Sequence, residues 1–542
     1  MAFAGWNYGD LFDAVARIVP SDHPALIHGD NITSWRAFDA RTNNLARSLI
    51  GSGAATGDKI AFYMRNHPAY LEGLAAAFKA RLTHVNVNYR YVADEVHYIF
   101  DNADATIVLF AREFSAIVEL IAPRLPGVRH WLIVEDGSDE TTPAFARSFE
   151  DLAAEGDGAP LHILRSPDDM LFLYTGGTTG MPKGVMWRHD AHRRAMFNPA
   201  LATRLPVDLE DHIAIVREAA GIGPVNLPAC PLMHGTGLFS AITSMIAGGT
   251  VVTLRSTHFD AHELWTQVAA HKVTQILIVG DAFAKPMLRA LDEAPGRHDI
   301  SSVAVIRSSG VMWSQEVKQG LLRHMPKVSL ADSLGSSEAV GYGLSVTTAG
   351  AVSGTAKFRL GANARVFTPE GREVVPGSGE AGLIARFDAL PEGYYKDPVK
   401  TAATFRTIDG VRYAIPGDYC TLDTDGAVTL IGRGSGCINT AGEKVFPEEV
   451  EEVLKLHPDI EDALVVGVPD ETWGQSVTGV IELRPGVAFD EPQLRRHVRD
   501  HLAGYKTPKR LFAVPRMLRA PNGKADYKGA LELALRELGV SG

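Results

Sequence analysis

The stretch Tyr174-Thr175-Gly176-Gly177-Thr178-Thr179-Gly180-Met181-Pro182-Lys183-Gly184 constrains this chain more than any other feature. Met170 to Tyr174, just before the glycines, is continuously apolar, the pattern of a strand buried on both faces. The loop then places four glycines in the nine residues from Gly176 to Gly184. Glycine lets backbone N–H groups approach phosphate oxygens with no Cβ in the way. The hydroxyls of Thr175, Thr178 and Thr179 add donors, and Lys183 adds a positive charge. The combination implies a phosphate-binding loop. Its spacing excludes a Walker loop, which needs Gly-x-x-x-x-Gly-Lys-Ser/Thr, because Pro182 stands where a glycine or lysine would fall.

A chain of 542 residues is too long for one core and divides into about two to four folding units. The net charge is −11 with no block of like charges, so nothing recommends a nucleic-acid or anionic-membrane partner, and an anionic nucleotide has to be bound by local design. Three cysteines, Cys230, Cys420 and Cys437, lie far apart without metal-ligand spacing. That fits a reducing compartment and makes the cytoplasm the expected location. Met1 to Asp10 does not read as a secretory signal, and no run reaches the ~18 apolar residues that cross a bilayer. Homo-oligomerisation is left open by the sequence.

Strand-like runs at Lys59 to Met64, Ala105 to Phe110, Thr250 to Leu254, Gln275 to Val279 and Ser302 to Ile306 alternate with helical stretches. This predicts an α/β fold of mostly parallel sheets layered with helices. Short runs at Gly361 to Val366, Gly382 to Arg386 and Ala427 to Gly432, separated by Gly/Pro/Asp turns, predict a small β-rich subdomain. Pro447 at a first helical position, with Glu448 and Glu449 in the first turn and Val450, Val453 and Leu454 on one face, predicts a helix. A strand from Ala463 to Val468 comes next. The expected organisation is a large domain over residues 1–432 and a small, mobile α+β domain over 433–542, with the glycines of Gly432 to Gly436 as the joint.

The loop at Tyr174 to Gly184 resembles the signature of the adenylate-forming enzymes, the superfamily of acyl-CoA synthetases, firefly-type luciferases and peptide-synthetase adenylation domains. Further blocks resemble the same family in order along the chain to Lys524. By that resemblance Tyr174 through Gly180 and Lys183 would bind ATP, as would Gly310. Asp332-Ser333-Leu334-Gly335-Ser336-Ser337-Glu338 resembles a nucleotide block in which Glu338 would hold Mg2+ and Ser337 would replace a phosphate-contacting threonine. Leu334 departs from the aromatic that commonly stacks on adenine there. Asp418, after Gly417, and Arg433 match the residues directed at the ribose. Pro521-Asn522-Gly523-Lys524 resembles the loop of the catalytic lysine, so Lys524, Lys183 and Glu338 are the expected catalytic groups. Met233-His234-Gly235, with Gly280 and Phe283, would line the acyl pocket. Gly442 and Lys444 match the pantetheine tunnel for CoA, and Gly436 occupies the hinge, where the family usually has an acid or lysine.

The resemblance therefore implies an ATP-dependent acyl-CoA synthetase using ATP, CoA and Mg2+, working through an acyl-adenylate. Small residues at Gly280 and Gly310 leave room for a bulky apolar acid, and similarity to ligases of long-chain or steroid side-chain acids points the same way. Medium-chain fatty acids are the alternative. A second alternative is transfer to a carrier-protein thiol, although no carrier domain is expected after Lys524. A third is a non-catalytic sensor of acyl-AMP, which would be expected to lack Lys183, Glu338, Asp418, Arg433 and Lys524. The pairs His497/His501 and His262/Glu263 lack the ligands of a zinc site.

Overall fold

The expected alternation of apolar strands and amphipathic helices is realised as layered sheets in a computed structural model. It describes residues 3–175, 181–197, 205–311, 313–350, 357–433, 436, 438–440, 443–470, 474–502, 504–519 and 525–539. The chain divides into two units: Met1–Thr355 with Arg386–Ala414, and Ala356–Ala385 with Ile415–Gly542.

In the first unit one sheet runs in the order Gly393–Tyr394, Lys183–Arg188, Met170–Thr175, Thr83–Asn86, Lys59–Tyr63, Ala105–Ala111, His130–Val134, Ala146–Ser148. From Met170–Thr175 onward its pairings are parallel, and the two at the opposite edge are antiparallel. The second sheet runs Asn31–Ser34, Pro24–His28, Thr250–Thr253, Val225–Pro228, Gln275–Ile278, Val305–Ser309, Ser329–Leu334, Gly343–Thr347. Its interior strands are parallel and its two outer ones antiparallel. One face carries Ile276, Ile306 and Leu330 against helices Ala261–His271, Asp281–Glu293 and Gln315–His324, with Trp265 and Trp313 fully buried between them. The other face meets helix Gly235–Ile246, where the Asn226 amide donates to Ser240 Oγ at 3.4 Å.

Several strand boundaries differ from expectation, two of them at identifiable turns. The run expected from Ser302 begins pairing at Val305 and continues to Ser309, because Val303 N–H first closes a turn on the Ile300 carbonyl while Ser302 Oγ donates to the distant Val273 carbonyl. The run expected over Gly361 to Val366 becomes a strand only over Ala364–Phe367, after a turn closed by Ala364 N–H on the Gly361 carbonyl, and a separate strand, Lys357–Leu360, precedes it.

The second unit contains the β-rich segment and the C-terminal α+β part. Its C-terminal sheet runs Glu443–Val445, Ile438–Thr440, Gly474–Leu483, Ile460–Asp470, with Arg510–Val514 parallel to Gly474–Leu483. Along Ile460–Asp470, Ala463 and Val465 face Val450, Leu454, Leu494 and Val498 of helices Pro447–Lys455 and Glu491–His501. Leu464, Val466 and Val468 face Ala530 and Ala534 of helix Tyr527–Leu538. The period-2 alternation of one strand thus sorts helices to both sides of the sheet. Pro447 opens its helix with Glu448 and Glu449 in the first turn, as expected. Among the described residues no helix is long and apolar enough to cross a membrane.

Candidate active site

Met170–Thr175 and Lys183–Arg188 form an antiparallel hairpin in which Tyr174 faces Gly184 and Thr175 faces Lys183. A strand comes after the loop, where a Walker loop leads into a helix. Gly176, Gly177, Thr178, Thr179 and Gly180 lie outside the described residues. The Tyr174 ring is buried, its hydroxyl donates to Asn102 Oδ1 at 2.7 Å, and burial pushes its pKa above the usual tyrosine range. Gly184 makes room for this ring, since a Cβ there would lie 2.7 Å from it.

Lys183 and Glu338 are gathered by a segment that no sequence motif singled out. Gly393–Tyr394 pairs antiparallel with Met186 and Val185, and Tyr395 N–H donates to the Gly184 carbonyl at 2.8 Å. This places Tyr394 and Asp397 beside the hairpin. Asp397 forms an ion pair with Lys183, caps helix Pro398–Thr404 by accepting from Lys400 N–H at 2.8 Å, and is held below the usual carboxylate range, chiefly by the Lys183 hydrogen bond. Lys183 Nζ lies 6.0 Å from the centre of the Tyr394 ring, whose hydroxyl donates to Glu338 Oε1 at 2.7 Å. Glu338 stands with Ser337 at the tip of a turn closed by reciprocal backbone bonds between Ser336 and Ala339. Trp187 Nε1 fixes that turn at the Ser337 carbonyl, 2.9 Å away, and Arg386 donates to the carbonyls of Val340 and Gly341. Ser333, Leu334, Ser337 and Glu338 are half-buried. Asp332 faces the opposite way, in a buried ion pair with Lys318 of helix Gln315–His324.

The expected acyl wall is tied to the same hairpin by asparagines. Asn86 Nδ2 donates to the Tyr174 carbonyl at 2.9 Å and the Met233 carbonyl at 2.8 Å, while its Oδ1 accepts from Tyr174 N–H at 2.6 Å. Asn66 bonds to Leu232 N–H at 2.6 Å and the Cys230 carbonyl at 3.0 Å. His234 then begins helix Gly235–Ile246, and a Cβ on Gly235 would lie 3.2 Å from Leu173. Gly280, at φ +58°, donates its N–H to Ser308 Oγ at 2.9 Å, and Gly310, at φ +91°, lies next to Val279. Both backbones take values that favour glycine. Phe283 is buried in the helix-covered core with its ring centre 4.9 Å from that of Phe259.

In the second unit Asp418 is the direct cross-strand partner of Arg433, so the two expected ribose ligands leave neighbouring points of one sheet. The Arg433 side chain lies outside the described residues, as do the Lys444 side chain, Gly442 and Lys524. Gly432 has φ +152°, and a Cβ there would meet Glu448 Oε2 at 2.2 Å; Gly436 is exposed. On either side of residues 520–524, Arg519 is ion-paired with Asp462 and bridges to Ala525, and Tyr527 donates to Glu451 Oε2 at 3.3 Å. Glu451 also accepts from Val465 N–H at 2.8 Å, and burial pushes its pKa to about 8.

Comparison with known proteins places this geometry. Residues 12–395 match the AMP-binding enzyme family and residues 449–524 the AMP-binding enzyme C-terminal domain. The chain is 41% identical over 534 residues to a medium/long-chain-fatty-acid–CoA/3-oxocholest-4-en-26-oate–CoA ligase of Mycobacterium marinum, spanning 97% of this chain and 96% of that protein. It is 39% identical over 532 residues to a 3-oxocholest-4-en-26-oate–CoA ligase of Rhodococcus rhodochrous, spanning 97% and 95%. The crystal structure of the anthranilate CoA ligase AuaEII in complex with anthranoyl-AMP shares the fold, with a TM-score of 0.82 at 19% identity over 99% of this chain and 98% of that one. The hairpin loop, the ordered blocks after it and these matches together make the chain a member of the AMP-binding enzyme family.

Proposed function

We propose that the chain is an ATP-dependent acyl-CoA synthetase acting on a long-chain or bulky apolar acid of the steroid side-chain kind. A carboxylate oxygen attacks the α-phosphorus of ATP and diphosphate leaves. The CoA sulfur then attacks the acyl carbon, the thiol proton is lost and AMP leaves. The observation that carries the reading is the pairing of Lys183 and Glu338 through Tyr394 and Asp397 at the mouth of the glycine-rich hairpin. The names of the mycobacterial and Rhodococcus relatives support the acid class, and medium-chain fatty acids are the second reading.

Lys183 offers positive charge to the phosphates, and the hairpin loop offers backbone N–H groups. We assign Asp418 and Arg433 to the ribose, Lys524 to the reacting carboxylate and α-phosphate, and Gly442 with Lys444 to the pantetheine arm. Gly436 is the swivel that would exchange the two half-reactions. Glu338 fits Mg2+: it is one half-buried carboxylate with an oxygen oriented by Tyr394, and Mg2+ takes one or two carboxylates and completes its shell with phosphate oxygens and water. Among the described residues no group of three or more His, Cys, Asp or Glu forms a ready-made metal cage. When bound, the ion would neutralise charge on the transferring phosphates. The buried thiols of Cys230 and Cys420 suit a reducing cytoplasm.

Release of AMP from ATP by the purified chain, with a panel of acids and with or without CoA, tests the reading. Acyl-CoA and AMP formed together with long or steroid side-chain acids are expected. Acyl-adenylate that never passes to CoA would transfer the assignment to a carrier-protein acceptor.

A further inference from the structure

The strand Val305–Ser309 alternates its side chains between two environments. Ser308 is in register with Ile278 and Asp332, and Asp332 meets Lys318 of helix Gln315–His324, so even-numbered residues face the helix-covered core. Arg307 is in register with Leu277 and Ala331 on the opposite face. That is the face of Asn226, which registers with Gln275 and bonds to Ser240 of helix Gly235–Ile246. This helix starts at His234–Gly235, the expected acyl wall. Gly310, at the expected nucleotide end, directly follows Ser309, the last residue of this strand.

Arg307 is therefore a half-buried cation on the sheet face that meets helix Gly235–Ile246, with Leu277 and Ala331 as its register neighbours. Among the described residues its guanidinium makes no hydrogen bond and no ion pair. Burial lowers its pKa from the usual arginine range, and no neighbouring carboxylate opposes that shift. A guanidinium taken partly out of water without an acceptor is costly, and a purely alkyl tail packed over it would make that cost larger. An oxygen acceptor on the bound acid would remove it.

We propose that Arg307 is a specificity-determining residue that receives an oxo or hydroxyl oxygen carried partway along the acid, roughly 10 Å from its carboxylate. Three residues of chain at about 3.3 Å each separate Arg307 from Gly310 at the expected nucleotide end, and this backbone spacing sets the scale. The substrate class becomes an oxygenated long or polycyclic acid. This rests on the acyl-CoA synthetase reading above and narrows it.

The test compares kcat/KM for AMP release by the full chain with 10-oxooctadecanoic, 10-hydroxyoctadecanoic and octadecanoic acids, for the parent, R307M and R307Q. The parent is expected to prefer the oxygenated acids by about tenfold or more, since a site built around a hydrogen bond rejects the analogue lacking it. R307M should collapse that ratio toward one, losing the oxo acid and gaining octadecanoate. R307Q, which keeps donors without the charge, should retain part of it. Each variant is checked by its MgATP-induced shift in melting temperature, and should R307M fail to fold, the parent ratio and R307Q decide. A parent that activates all three acids equally, or an R307M ratio equal to the parent's, overturns the proposal and leaves the synthetase reading standing. No AMP release with any acid overturns the synthetase reading and this inference with it.

Discussion

Replacing Asp397 by asparagine is expected to lower the KM for ATP. Lys183 is held by Asp397, so an incoming phosphate competes with that carboxylate for the same ammonium group. Asparagine is as good a helix N-cap as aspartate, so D397N keeps an acceptor for Lys400 N–H and removes only the charge. The two side chains are 32% and 28% exposed, which places the pair in the range of about 0.2–1 kcal/mol. The expected fall in KM is then at most about fivefold, with kcat little changed. The effect should shrink with salt, because the screening length drops from about 10 Å at 0.1 M to about 3 Å at 1 M. Its pH profile comes from the depressed carboxyl pKa. The pair is intact above the ordinary carboxylate range and is lost only as pH falls through the lowered folded value, so the gap between parent and variant should hold from neutral to mildly acidic pH. Initial rates of diphosphate release against ATP concentration, at saturating acid and two salt concentrations, measure it. A KM that rises in D397N would refute the competition and make Asp397 an aid to Lys183, and a gap insensitive to salt would refute its electrostatic origin.

Y394F removes a hydroxyl donor to the Glu338 carboxylate, a bond of about 1.5–3 kcal/mol, and should raise the Mg2+ concentration for half-maximal activity by about tenfold or more. An unchanged Mg2+ titration would detach Tyr394 from the metal. N86A strips partners from the backbone of Tyr174 and Met233 at about 1–3 kcal/mol per buried group left unpaired. Its melting temperature should fall by several degrees while the KM values for ATP and acid rise together; a change in one KM alone would argue against a shared anchor. Glu451 keeps in the folded state a proton that the unfolded chain releases above the usual glutamate pKa. The penalty is absent at low pH, grows as pH rises to about 8 and then levels off. E451Q should therefore gain stability over the parent between pH 5 and pH 8, by on the order of 4 kcal/mol, and denaturant unfolding showing a gap that is flat or reversed would contradict the buried-acid account.

Much of this was legible in the sequence because it rests on local rules. The apolar run before the glycines is a strand, Pro447 starts a helix, and the run from Ala463 to Val468 is a strand, whose two faces the structure then shows burying different helices. What the sequence concealed depends on contacts between distant segments. No motif marks Asn66 or Asn86, yet their amides hold segments about 150 residues away. Tyr394 and Asp397 sit in Gly393-Tyr394-Tyr395-Lys396-Asp397-Pro398, whose Asp-Pro pair announces a helix start, but nothing local reveals that the segment adds an edge strand beside the hairpin. Asp332 lies in a family-like block, yet strand alternation turns it toward Lys318, an orientation fixed only by register with Val305–Ser309.

The three bonds made by the Asn86 amide also separate two kinds of evolutionary freedom. One side chain acts as a caliper between the strand that enters the glycine-rich loop and the segment proposed to head the acyl wall, holding Tyr174 and Met233 at a fixed spacing. On the proposed reading, substitutions deeper on the sheet face, around Arg307, would retune which tails are accepted while leaving this spacing unchanged. A lineage built this way can change its diet without rebuilding its chemistry.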